Sequence, residues 1–264
     1  MNYKIDNVSL GEFGAHSTNA SGEKIALSGI FNLPKRIGTT EYDWGTSIEP
    51  FVDASDIELE GRSLTLNVVI KGSTLSDLHI KLTAFKEACI ACKKLWTEVG
   101  EFNVIQKDEI DVTEYAFNCL AIVKVPFWED PYFPVNISIS ASGSGDYMLD
   151  SYNVVRDFGI FVSSFRDINT KPKRIDISTT LPYTTTSYRS YNDLSVQCKM
   201  VGTGIIDLYN KMSQFNALCI SPGLHTLKLP GNTARSVYFK DGTTVTCLSS
   251  RVLQFDLKCR VING

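Results

Sequence analysis

Residues 64–90, LTLNVVIKGSTLSDLHIKLTAFKEACI, occur a second time as residues 194–220, LSVQCKMVGTGIIDLYNKMSQFNALCI. The copies align without a gap at an offset of 130. Eight of the 27 positions are identical: Leu64/Leu194, Gly72/Gly202, Asp77/Asp207, Leu78/Leu208, Lys81/Lys211, Phe85/Phe215, Cys89/Cys219 and Ile90/Ile220. Average composition would match roughly two. An internal duplication constrains the fold strongly, because whatever one copy builds the chain must build twice. Leu64, Leu66, Val68 and Ile70 alternate with Thr65, Asn67 and Lys71, and Leu194, Val196, Cys198 and Met200 with Ser195, Gln197 and Lys199. That period of two predicts a strand with one buried face. After Gly72 and Gly202 the period changes. Leu75, Leu78, Leu82, Phe85 and Cys89 recur at steps of three and four, and Ile205, Leu208, Met212, Phe215 and Cys219 repeat the spacing. This is one apolar helix stripe, with Asp77 and Asp207 in the first turn, where a carboxylate opposes the positive end of the helix dipole.

The surrounding pattern adds strands to each unit. Short strands are expected within residues 3–31, including one at 24–30, then at 102–106 and, longer, at 115–127. In the second half they are expected at 225–229, 236–240, 245–249 and 252–262, with Asp241-Gly242 as a hairpin turn. Phe13-Gly14 and Phe158-Gly159 open similar pieces. Strands, one helix and more strands in each half predict an α+β chain of two tandem domains, each an antiparallel sheet covered by one helix. The expected division is 1–135, a linker at 136–150 containing SASGSGD, and 151–264. Residues 32–56 and 166–193 are long, turn-rich segments before each central strand. Their threonine and tyrosine content suits extended β-arms.

Charge divides along the same line. Residues 1–135 hold 12 lysines and arginines against 20 acids, a balance of −8. Residues 136–264 hold 14 against 9, a balance of +5, with no glutamate. Such asymmetry suits steering of one half onto the other, within a chain or between chains.

Catalytic and metal chemistry find little support. Cys89 and Cys92 form a CxxC, but Cys89 lies on the helix stripe and its counterpart Cys219 has no second cysteine. Core packing is the expected role. Seven cysteines at scattered spacing do not form a disulfide framework, and reduced thiols are expected. His16, His79 and His225 have no ligand-spaced partners in sequence. The run KDEID at 107–111 lacks the glycine and spacing of a calcium loop, and Asp56/Glu58 is an ordinary acidic pair. Lys171-Pro172-Lys173-Arg174 is basic, but isolated within a chain of pI near 5.7, so a protein contact is expected there rather than nucleic-acid binding. The opening MNYKIDNVSLGEF has no basic-then-apolar pattern, so no secretory leader is expected. No apolar run reaches the length of a membrane span.

The order of motifs over residues 30–132 resembles the bacteriophage distal tail protein family, of the tail-tube fold. It is carried by Leu33-Pro34 before the arm, EGRSLTLNVVIKG at 60–72, a helix from Ser76, and a closing strand ending VPFWEDPY, in which Phe127, Asp130, Pro131 and Tyr132 fit the family ending. The second half departs from the family in repeating the same framework. The resemblance implies a non-enzymatic structural protein of the virion tail, made in the bacterial host cytoplasm. It implies no cofactor and no membrane insertion. It also implies a ring around a channel that passes DNA, either a trimer with pseudo-sixfold symmetry or a hexamer. The neighbours would be tail-tube and tail-tip or baseplate proteins. Arg36, Tyr42, Trp44, Lys173, Arg174, Tyr183, Tyr188 and Tyr191 are the candidate ring or inter-subunit contacts, since aromatics and arginine favour interface cores. A host-surface carbohydrate-binding module is the alternative function, and a cell-wall hydrolase a third.

Overall fold

The computed structural model describes residues 3–44, 47–169, 173–177, 184–188 and 192–262. The chain is α+β and its sheets are antiparallel throughout. In the first half the central strand Arg62–Lys71 pairs along its whole length with the closing strand Leu120–Glu129. Its other edge carries Ala15–Ser17 and Leu27–Ser28. In the second half the central strand Asn192–Val201 pairs with the closing strand Val252–Ile262 on one side and with Ile160–Asn169 on the other.

The duplication extends well beyond the 27 matched residues. Lys4–Ile5 forms a hairpin with Val8–Ser9 and pairs with Lys94–Thr97, and Met148–Leu149 forms one with Tyr152–Asn153 and pairs with His225–Lys228. At the two hairpin tips Asp6 (φ 51°) and Asp150 (φ 53°) take the left-handed conformation. Each N–H donates to a carbonyl of the neighbouring strand, Asp6 to Lys94 O (2.7 Å) and Asp150 to Thr226 O (2.8 Å). Each carboxylate accepts from the same strand: Asp6 Oδ1 from the N–H groups of Lys93 and Lys94, Asp150 Oδ1 from that of Thr226. His225 is buried beside Asp150, with its Nδ1 2.7 Å from Asp150 Oδ2. Burial pushes the Asp150 carboxyl up, but the His225 and Thr226 hydrogen bonds outweigh it and leave the group below the usual carboxylate range. After each hairpin a short helical turn ends in glycine with positive φ, Gly14 or Gly159, and the edge strand begins.

Helix α1, Leu75–Ala91, buries Leu78, Leu82, Phe85 and Cys89 against the inward residues Leu64, Leu66, Val68 and Ile70 of the central strand. Each such side chain contributes roughly 1.5–3 kcal/mol. Thr74 caps the helix by accepting from Asp77 N–H, and the Asp77 carboxylate accepts from the N–H of Ser73, the residue before the cap. Lys81 binds the same carboxylate at 2.9 Å, and these bonds hold Asp77 at about 2. The second-half helix α3, Ile205–Cys219, begins at Gly204, which has no side-chain cap. There Asp207 accepts from Thr203 N–H (2.7 Å) and Lys211 (3.0 Å). Helix α2 is the short Val154–Phe158 turn before Gly159.

Several local expectations are corrected. The 24–30 segment is strand only at Leu27–Ser28. The first-half piece at 102–106 divides into Gly100–Asn103 and Ile105–Gln106. Tyr115 ends a preceding strand, Asp111–Tyr115, which turns through Ala116–Asn118 and left-handed Cys119 into the closing strand. Asp241-Gly242 does not turn a two-residue hairpin. Arg235–Tyr238 and Val245–Ser249 both pair with the closing strand, at successive stretches of one edge. Asn67, placed by alternation on the polar face, is buried because residues 18–26 fold over it and its Nδ2 donates to Ala26 O at 3.1 Å. The seven cysteines are free thiols, and all but half-buried Cys119 are buried. Burial pushes Cys92 up to about 11, so the CxxC is chemically quiet at neutral pH.

Candidate functional site

The two halves share one buried cluster, and their contact is one-sided. Elements of the first half lie on the helix, the edge strand and a turn of the second. Phe31 and Phe102 pack their rings on Tyr209 of α3, at centroid distances of 6.3 and 6.0 Å. Asn216 Nδ2 donates to Phe31 O at 3.2 Å. Lys24 N–H donates to Cys247 O (2.8 Å), and Val245 N–H to Asn32 Oδ1 (2.8 Å). Leu33 and Thr243 exchange both backbone hydrogen bonds, and Arg36 N–H donates to Lys240 O. Glu41 supplies the ionic contact: its Oε1 lies 2.8 Å from Arg260 Nη1 and 3.4 Å from Lys240 Nζ, and Tyr238 Oη bonds its other oxygen. Arg260 is buried and also bonds Asp193. Burial pushes Arg260 down, but Asp193 and Glu41 reverse this and raise it.

The same surfaces on the first half are open. α3 buries Ser213, Asn216, Ala217 and Leu218 in addition to Leu208, Met212, Phe215 and Cys219 of its stripe, whereas α1 buries only Leu78, Leu82, Phe85 and Cys89, and its first stripe position, Leu75, is exposed. The identical isoleucines show the difference: Ile220 is 8% exposed and Ile90 64%. Leu75, Ser76, His79, Ile80, Thr83 and Glu87 line an open groove along α1. The strand Asp111–Tyr115, counterpart of Val245–Ser249, is mostly exposed where Val245 and Cys247 are buried. Composition carried a signal of this that stripe analysis missed. Lys86-Glu87 on α1 correspond to Asn216-Ala217 on α3, a charged pair replaced by residues that can be covered.

The predicted contact residues fall into different places. Arg36 is buried inside its own arm, where its Nη2 donates to Phe51 O and, at 3.1 Å, to Asp56 O. Desolvation lowers its pKa. Tyr42 and Trp44 are exposed at the arm tip, 4.4 Å apart between ring centroids, with Trp44 Nε1 donating to Glu49 Oε2 at 2.9 Å. Lys173 and Arg174 lie on the strand Lys173–Ile177, which pairs with the strand Thr184–Tyr188 that ends at Tyr188. Tyr183 and Tyr191 lie outside the described residues. Among the described residues no group of three or more His, Cys, Asp or Glu is placed to hold a metal ion.

Gly242 marks a close approach of the two halves' backbones. A Cβ there would lie 2.5 Å from Leu33 O and 2.8 Å from Lys35 N, both backbone atoms that cannot swing aside. Gly242→Ala is therefore expected to lower stability by about 1–3 kcal/mol in urea unfolding. Gly11→Ala, whose Cβ would meet nothing closer than 3.9 Å, serves as the control. Equal stability of the two variants would contradict the close approach.

No family model matches the chain and no curated protein matches its sequence. One solved structure, the crystal structure of the SPP1 Dit (gp 19.1) protein, described as a paradigm of hub adsorption apparatus in Gram-positive infecting phages, aligns over 97% of this chain and 98% of its own. The identity is 9% and the TM-score 0.32, too low for the likeness to carry an argument about function.

Proposed function

We propose that this chain is a structural protein of a bacteriophage tail that assembles head to tail into a ring around a channel for DNA, joining the tail tube to the tail tip. One observation carries the assembly reading. The chain holds two copies of one framework, and the first copy covers the helix, edge strand and turn of the second while its own counterparts of those surfaces are open. An interface between unlike faces, used once within a chain, leaves one free member at each end. Repetition of such an interface closes into a ring when the rotation allows. The two halves then alternate around the ring, and three chains give six like units; a hexamer with only one half of each chain inside would use a different interface. Closure also protects the exposed strand Asp111–Tyr115, which as an open edge would invite uncontrolled pairing. The tail assignment rests on the ordered motifs at 30–132.

The test is sedimentation velocity of the full chain combined with negative-stain images. A trimer with a central hole is the expected result, and a stable hexamer with no trimer counts strongly against alternation of the two halves. A monomer at every concentration reached overturns self-assembly. Such a monomer binding cell-wall saccharides through the exposed Tyr42–Trp44 pair would instead support a carbohydrate-binding module.

A further inference from the structure

The tetrapeptide Pro34-Lys35-Arg36-Ile37 recurs unchanged as Pro172-Lys173-Arg174-Ile175. The first copy belongs to the first limb of its arm, and Lys173, Arg174 and Ile175 of the second lie on the strand Lys173–Ile177. Arg36 bridges Leu59 across the first arm, and Lys173 pairs with Tyr188 in the second, keeping the register of the Asn169–Asn192 pair. The first copy has a defined berth: it lies on the turn between Arg235–Tyr238 and Val245–Ser249 of the other half, with Arg36 N–H bonded to Lys240 O and the preceding Leu33 bonded to Thr243.

The counterpart of that turn in the first half is fixed by pairing. Ile105–Gln106 and Asp111–Tyr115 lie along one edge of the closing strand, as Arg235–Tyr238 and Val245–Ser249 do in the second half. The corresponding turn is residues 107–110. Its chemistry differs in one informative way. Glu109 stands where Gly242 stands in the second half, so a backbone cannot come as close. In compensation the turn is acidic, with Asp108, Glu109 and Asp111 all exposed. Asp111 also bridges Lys124 at 3.6 Å, and Lys107 lies over the Trp128 ring at 3.7 Å. The arm that would meet it is basic, with Lys171, Lys173 and Arg174 in four consecutive residues. Within the chain the charges run the other way, acidic Glu41 of the first arm on basic Lys240 and Arg260.

We propose that the arm carrying Lys173 and Arg174 docks on the acidic 107–111 turn of a second copy of this chain, repeating between chains, with ion pairing, the docking that Pro34–Ile37 makes within one. This rests on the head-to-tail reading above and names the surfaces it uses. Because Asp108, Glu109 and Asp111 are exposed, salt weakens the pairing.

Two variants of the full chain test it by sedimentation velocity, with circular dichroism to show that both fold. Lys173→Glu/Arg174→Glu reverses the arm, and Asp108→Lys/Glu109→Lys/Asp111→Lys reverses the turn. Each alone is expected to weaken self-association about tenfold or more, as like charges are brought together. A chain carrying both sets of substitutions is expected to associate again, because each reversed surface then finds an opposite charge on the next copy. If both variants assemble like the natural chain, the docking is overturned and head-to-tail assembly by other surfaces stands. If the two variants weaken but the chain carrying both reversals does not recover, the pairing of these two surfaces is overturned. A natural chain that stays monomeric overturns the docking and the reading beneath it together.

Discussion

Phe215→Ala is expected to lower stability toward the top of the about 3–5 kcal/mol range for removing a buried phenylalanine, and Phe85→Ala toward the bottom. The two residues are counterparts in the duplicated helix and both are fully buried. Phe215 sits between Phe158 (5.5 Å) and Phe255 (6.1 Å), while Phe85 meets Phe13 edge-on at 5.8 Å. The cost of a cavity depends on how far its walls can close. α3 is held from outside by Phe31, Phe102 and the Asn216 hydrogen bond, so it cannot settle into the void. α1 has solvent on its outer face and can shift inward. Equilibrium urea unfolding of the pair measures the difference. An equal or larger loss for Phe85→Ala would mean that the contact between halves does not brace α3.

That bracing was the part of the molecule least visible beforehand. The strand–turn–helix repeat, the glycine turns and the α+β class were legible because they are written as periodicity in one continuous stretch. The remainder of the duplication is carried by different residues in the same roles. Asp6 and Asp150 turn matching hairpins with only an aspartate in common, and their offset of 144 differs from the 130 of the repeat. The insertion at 18–26 and the unequal arms break any single alignment. The hairpin read into Asp241-Gly242 failed for a physical reason: glycine there makes room for the neighbouring backbone at Leu33, a contact with no local trace. Of the candidate contacts, Tyr42 and Trp44 are at the surface. Arg36 is buried instead, because its guanidinium closes the arm on the Phe51 and Asp56 carbonyls.

Glu129→Ala is expected to destabilise the chain by about 3–5 kcal/mol, because it leaves a buried arginine charge without its partner. Arg62 and Glu129 face each other in register at the mouth of the first sheet. Arg62 Nε and Nη2 both reach Glu129 Oε2, at 2.8 and 2.6 Å, and Nη1 donates to Ile30 O at 2.6 Å. The guanidinium lies over the Tyr132 ring at 4.9 Å. This one side chain thus ties the residue that leads into the first arm, Ile30, to the start of the central strand where the arm returns, and to the closing strand. Replacing both charges, as Arg62→Met with Glu129→Leu, removes the unpaired ion and is expected to recover most of the loss. A deficit of about 1–3 kcal/mol should persist, since the Ile30 carbonyl loses its donor. Hydrogen exchange gives an independent reading. In Glu129→Ala the amides of Leu33 and Arg36, bonded to Thr243 and Lys240, should lose protection before those of the central strand, because freeing the arm's base frees its docking. If those amides keep their protection, or if the double variant is no more stable than the single one, the ion pair does not anchor the arm.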